Sequence, residues 1–227
     1  MLSSEIPVIF VINLKHRTDR LASIQRELDR MGLLDRMEVV EGTIRTAHGT
    51  GVAGIAQSHM RCVQLAKERG YKYAMILQDD AKMMVSAEEF SKELNRFLEC
   101  SGDDPWFGLW FGSYYKAYIV SPPTGKNYCT PFEFHQDTAT LLHERGYDTY
   151  IQYLQHCVEK YVETGGDRYN IDQLIMHLDE KDAVESSFVP LKKGIRILNK
   201  KLCDQATNLS DRVFRVMEGQ RNMRLDD

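Results

Sequence analysis

Two periods of apolar and polar residues divide the chain. "PVIFVINL" (7–14) is continuous, β-branched and apolar, the pattern of a strand covered on both faces. In "DRLASIQRELDRMG", Leu21, Ile24, Leu28 and Met31 recur at spacings of three and four, which predicts an amphipathic helix stopped at Gly32. "MEVVEG" reads as a short second strand. The glycine-rich "HGTGVAG" reads as a loop, "IAQSHMRCVQLAKERG" as a second helix with a stop at Gly70, and "YAMIL" as a third strand. This βαβαβ order implies a parallel, right-handed sheet covered on both faces.

Further on, Ser86 and Glu89 have the spacing of a capping box and open the helix "SAEEFSKELNRFLEC", with Phe90, Leu94 and Phe97 as its inner stripe. "WFGLWFG" (106–112) and "TATLL" read as buried strands, separated by a long loop from "SPPTGKNYCTP" (121–131). "GYDTYIQYLQHCVEKYVE" predicts a long helix broken by "TGGDRY", and "NIDQLIMHL" a shorter one. The last fifth holds strand-like pieces and polar loops, then a charged tail.

The chain has 227 residues, 43% of them hydrophobic, enough to bury a large core. Its 29 basic and 33 acidic residues leave a net charge of -4, without the segregated basic face that duplex nucleic acid requires. No run approaches the length of a membrane span, and "MLSSEIPVIF" lacks the positive start of a signal peptide. The five cysteines (Cys62, Cys100, Cys129, Cys157, Cys203) form no CxxC pair, which argues against a disulfide framework or a zinc site. The expectation is a protein of a reducing, cytoplasmic compartment with no integral membrane segment. "NLS" at 208–210 matches the glycosylation acceptor pattern, which carries little meaning without a secretory signal.

The third predicted strand ends in "QDD". Asp79 and Asp80 therefore fall at the carboxyl edge of the predicted sheet, where ligands of open α/β folds bind. Two acids there can hold magnesium or manganese when a substrate diphosphate supplies further oxygens. The alternative is a solvated turn with a capping acid. After the first strand, "NLKHRTDR" brings Arg17 and Arg20 to the same edge, either to meet a diphosphate or as a solvated first helical turn.

These segments carry a resemblance. "VINLKHRTDR", "GIAQSHMRCVQLAKERGYKYAMILQDDA" and "DQATNLSD", in this order over residues 7–212, resemble glycosyltransferase family 25, which holds lipopolysaccharide-biosynthesis and collagen β-galactosyltransferases. The resemblance implies a GT-A-type, Rossmann-like mixed sheet with helices on both faces. It also implies a UDP-sugar donor, a divalent metal (Mn2+ or Mg2+), a glycan or hydroxyl acceptor, and transfer with inversion. Residues 1–212 would form one glycosyltransferase domain, with a nucleotide-binding half at 7–83 and an acceptor-side half at 84–212, followed by the tail at 213–227.

Carried over by motif, Asn13, Leu14, Arg17, Arg20 and Asp79 would face the donor, with Arg20 first for the diphosphate, and Asp80 would take the metal. Ser58 and His59 match the "SH" pair, and for His59 packing competes with catalysis. Gln78 stands where the family has glutamate, which removes a charge beside the metal and leaves a weakened or metal-independent site open. Asp172 matches the catalytic acid of the acceptor side, with helix N-capping as the alternative and Asp137 as the rival base. Gln205, Ser210 and Asp211 match the closing motif, with no chemistry assigned beyond holding the C-terminal segment against the site. Other readings are a retaining enzyme or nucleotidyltransferase of the same fold, a nucleotide-sugar or glycan-binding pseudoenzyme, and a scaffold with solvated acids.

Overall fold

The computed structural model of the chain describes residues 1–44, 48, 51–112, 114–115, 125–131, 134–135, 138–178 and 181–206. The amino-terminal part forms β1 (Ile9–Asn13), α1 (Thr18–Arg30), β2 (Met37–Glu41), α2 (Val52–Glu68), β3 (Tyr73–Gln78), β4 (Ala81–Met83) and α3 (Ala87–Ser101). Then follow β5 (Gly108–Trp110), β6 (Tyr114–Tyr115), β7 (Tyr128–Cys129), β8 (Phe134–His135) and β9 (Ala139–His143). The rest comprises α4 (Tyr147–Thr164), α5 (Ile171–Met176), α6 (Val189–Lys193), β10 (Ile195–Leu198) and β11 (Cys203–Gln205).

Seven strands make one sheet in the order β2-β1-β3-β9-β5-β10-β7. β1 lies parallel to both neighbours, with Ile9 opposite Met37 on one side and Met75 on the other. β9 enters antiparallel between β3 and β5, and β7 closes the far side antiparallel to β10. The parallel arrangement read from the first three strands holds for β2-β1-β3, and the antiparallel β9 and β7 make the whole sheet mixed, as expected for a GT-A-type fold. A short run such as "TATLL" signals a strand, not which way it runs.

Successive strand residues feed opposite cores. Phe10, Ala74 and Ile76 pack with Ala56, Val63, Leu154 and Leu174 from α2, α4 and α5. Ile9, Val11, Met75 and Leu77 pack with Ile24 and Leu28 of α1 and with Phe90, Leu94 and Phe97 of α3. Each Val, Leu, Ile, Met or Phe among them contributes roughly 1.5–3 kcal/mol by leaving water. The helix stops at Gly32 and Gly70 have φ of 64° and 66°, the left-handed region that glycine enters without strain.

Helix α2 begins at Val52, so half of the stretch read as a glycine loop is its first turn. Burial of Val52 and Ala53 outweighs the weak helix propensity of Gly54. At α3, Ser86 Oγ accepts from the Glu89 amide at 3.2 Å, half of a capping box, while the Glu89 carboxylate pairs with Lys200. α4 starts where the Tyr147 hydroxyl donates to the carbonyl of Tyr71, just ahead of β3. It ends where His48, from the connection after β2, sets its ring edge-on to Tyr161 and its Nε2 3.1 Å from the Val162 carbonyl oxygen. α4 therefore climbs from the amino edge of β3 to the carboxyl edge, and α5 follows it. Among the described residues no helix is long and apolar enough to cross a membrane.

Candidate functional site

At the carboxyl edge, β1 ends in Asn13 and β3 in Gln78, after which the chain turns at Asp79–Asp80 into β4. The Asp79 amide donates to the Ile12 carbonyl at 3.1 Å, which extends the ladder and fixes the backbone of the first acid. The Gln78 amide donates to the Thr138 carbonyl at 2.9 Å, ahead of β9. Neither acid lies in a solvated turn: Asp79 is 7% and Asp80 5% exposed. Buried carboxylates need compensation, and three segments distant in sequence supply it.

From β1, Asn13 Nδ2 donates to Asp79 Oδ2 at 2.7 Å and to the Arg17 carbonyl at 3.0 Å. One amide thus joins a strand end, the start of α1 and the acid. From α1, buried Arg20 places Nη1 3.2 Å from Asp79 Oδ1 and 3.8 Å from Asp80 Oδ2. From β11, Gln205 Nε2 donates to Asp80 Oδ2 at 2.7 Å, and the Ala206 amide donates to the Asp80 carbonyl at 2.7 Å. Burial pushes the Asp79 carboxyl above its ordinary range, with the Asn13 bond and the Arg20 charge pulling it back. Among the described residues the charges of the cluster are two acids and one guanidinium.

The sequence reading gave Arg20 to a donor diphosphate, whereas the structure turns its guanidinium onto both acids. Arg17 forks onto Asp19 through Nε (3.0 Å) and Nη2 (2.9 Å), a bond that lowers the Asp19 carboxyl to about 2. Leu14, half-buried, accepts the Arg17 amide on its carbonyl at 2.7 Å. Its Cδ2 would lie 3.0 Å from a Cβ at Gly42, so the glycine after β2 gives Leu14 its place. Ser58 Oγ donates to the Gly54 carbonyl (2.7 Å) and accepts the Thr43 amide (2.9 Å), which secures the connection after β2 to α2. His59 is 0% exposed within α2.

Asp172 does not cap a helix. Asn170 occupies the cap position of α5, and Asp172 is the second helical residue, half-buried. The Tyr153 hydroxyl donates to the Ile171 carbonyl, which seats the start of α5 on α4. The Asp172 charge faces that region, where it adds to the burial that raises the Tyr153 hydroxyl and the Cys157 thiol, the latter to about 12. The cluster joins Asn13, Arg20, Asp79, Asp80 and Gln205, and Asp172 lies on a separate element. Asp137, Ser210, Asp211, parts of the 121–136 loop (121–124, 132–133 and 136) and the 213–227 tail lie outside the described residues.

Among the described residues no group of three or more His, Cys, Asp and Glu side chains could hold a metal ion. The described residues therefore offer no closed cage. A divalent cation fits this donor set only as an ion that one carboxylate shares with a substrate's oxygens, the usual situation for magnesium. Asp79 has both oxygens engaged by Asn13 and Arg20, and Asp80 Oδ2 takes the bond from Gln205.

The pairing that completes the site escaped sequence reasoning. β4 and β11 are three residues each, with Gln205 opposite Ala81, and neither has a length or period that marks a strand.

No family model and no curated protein matches the chain. Among solved structures it is similar to a glycosyltransferase involved in the glycosylation of the major capsid of PBCV-1, with 11% identity and a TM-score of 0.48 over 90% of this chain and 95% of that one. It is also similar to a mannose-1-phosphate geranyltransferase of Thermus thermophilus (10%, TM-score 0.41, 98% and 80% covered) and to mouse xyloside xylosyltransferase 1 (12%, 0.37, 90% and 89%). Likenesses this distant do not carry function across, which has to be read from the side chains.

Proposed function

We propose that the chain is a glycosyltransferase that moves a hexose, galactose as first choice, from a UDP-sugar to a hydroxyl on a glycan or glycosylated protein, with inversion. The observation that carries this reading is the Asp79–Asp80 pair, buried at the carboxyl edge of β3 and held from β1, α1 and β11. A structural turn gains nothing from two adjacent buried carboxylates, whereas a site for a polyhydroxyl, diphosphate-bearing ligand needs fixed acids there. The motif resemblance to family 25 points the same way, including its lipopolysaccharide-biosynthesis branch.

In this reading Asp79, fixed by Asn13 and Arg20, accepts hydrogen bonds from ribose or sugar hydroxyls. Asp80 would hold a manganese or magnesium ion, which when bound would neutralise charge on the departing diphosphate. Arg20 keeps the two acids from repelling each other and leaves the cluster one net negative charge to attract the ion. Leu14 and Arg17, at the start of α1, border the same edge. Asp172 would take the acceptor hydroxyl's proton as its oxygen attacks the anomeric carbon from the face opposite the diphosphate.

Gln78 and the guanidinium beside the acids favour a second reading, a nucleotide-sugar-binding protein without turnover. Incubation with each nucleotide sugar and manganese, with released nucleoside diphosphate measured, separates the two. Release from one UDP-hexose is the expected result. Binding without release would establish the second reading, and neither binding nor release with any donor would refute both.

A further inference from the structure

The last described stretch of the chain is laid across the sheet edge and ends on the second acid. After β10, the Leu202 and Cys203 amides both donate to the Phe111 carbonyl at 3.2 Å, just past β5. The Met84 amide donates back to the Leu202 carbonyl at 2.9 Å, and β11 pairs with β4 in the register Cys203–Met83, Asp204–Lys82, Gln205–Ala81. Cys203 is fully buried, and Lys201 closes an ion pair with Asp204 at 2.9 Å. The stretch is thus anchored at two strands before Gln205 reaches the acid, and the Ala206 amide binds the carbonyl of the same aspartate.

From this geometry we infer that Gln205 is a positioning residue. Its side-chain amide holds one oxygen of Asp80 and so sets the plane in which the carboxylate meets a cation shared with the donor diphosphate. The inference rests on the proposed donor site and deepens it. Two features support a directing role over simple attachment. The backbone bonds of β11 and Ala206 already fasten the segment, so the side-chain bond is not needed for attachment. The bond also ends on the oxygen that faces Arg20 Nη1 at 3.8 Å, so the amide and the guanidinium together fix where that oxygen sits.

The test uses UDP as probe, titrated calorimetrically with and without manganese, on the unmodified protein, Gln205→Met and Gln205→Ala. Methionine keeps the length and packing of the side chain but cannot donate a hydrogen bond. Loss of a hydrogen bond to a charged group predicts a fall of about tenfold or more in UDP affinity with manganese, and none without it. Thermal melting of the three proteins checks that β11 stays in place. Should Gln205→Met keep the full manganese response, or lose affinity equally with and without the metal, the positioning role is wrong and the segment is only a fastener. Should the unmodified protein bind UDP with no manganese response, the metal assignment falls first and the inference with it.

Discussion

Arg20 gives the sharpest test of how the cluster is held. Its guanidinium is buried against Asp79 at 3.2 Å and Asp80 at 3.8 Å, so Arg20→Met leaves two buried acids without their shared cation. Breaking one side of a buried ion pair costs about 3–5 kcal/mol. Asn13 still donates to Asp79 and Gln205 to Asp80, which places the expected loss at the low end, about 3 kcal/mol. For 227 residues that corresponds to a melting point lower by roughly 6–12 °C. The loss must also depend on pH in a fixed direction. Burial already raises the Asp79 carboxyl, and removal of the arginine raises it further. An acid with a raised folded-state value favours the fold below its unfolded value, near pH 4, and loses that contribution as pH rises through the folded value. The gap between Arg20→Met and the unmodified protein should therefore be small near pH 4 and widen towards pH 7. Urea unfolding at both pH values measures it, with Arg20→Lys as a control that keeps the charge and recovers at least half of the loss. A gap under about 1 kcal/mol at pH 7, the range of a surface pair, or one that does not grow with pH, would refute the account.

Asp80→Asn keeps the shape and can still accept from Gln205, so the fold should persist while UDP binding stops responding to manganese; calorimetry with and without the metal reads both. His143 is enclosed edge-on by Tyr73 and Trp106, and burial lowers its imidazole to about 4. The unfolded chain then takes up a proton first, so stability is full above about pH 6.5 and up to about 3 kcal/mol is lost as pH falls towards 4. In His143→Phe that slope should disappear from urea unfolding, and an unchanged slope would assign the acid loss elsewhere. Asp172→Asn should lower turnover by about 10² to 10⁴ with UDP affinity intact, and NMR of the product should show a β-glycoside from an α-linked donor. Normal turnover would pass the base role to Asp137, and an α-product would remove inversion.

The strands and helices that meet the core were legible because burial on both faces leaves a continuous apolar run and burial on one leaves a stripe. Ile24 and Leu28, or Phe90, Leu94 and Phe97, could hardly be read otherwise. Direction was not legible. β9 is as buried as β3, and its antiparallel course depends on a connection whose path is not written in the strand itself. The start of α2 was misplaced because glycine signals a loop by propensity, while the position of Gly54 follows from what Val52 and Ala53 bury.

For the site, the local signal and the long-range one diverge. Asp79 and Asp80 could be placed at the sheet edge from the run before them, but not recognised as buried, since burial there comes from Asn13, Arg20 and Gln205. Those residues stand 66, 59 and 125 positions from the atoms they bind. The same separation explains the reversal at Arg20. A basic residue in the first turn of a helix at a strand's carboxyl end looks available to phosphate until the acids at the next strand are seen to be its partners. In the proposed reading an anionic ligand entering this edge would need a cation brought with it, because the arginine nearest the acids is already paired with them. A manganese response of UDP binding is therefore the result on which the proposed donor site stands or falls.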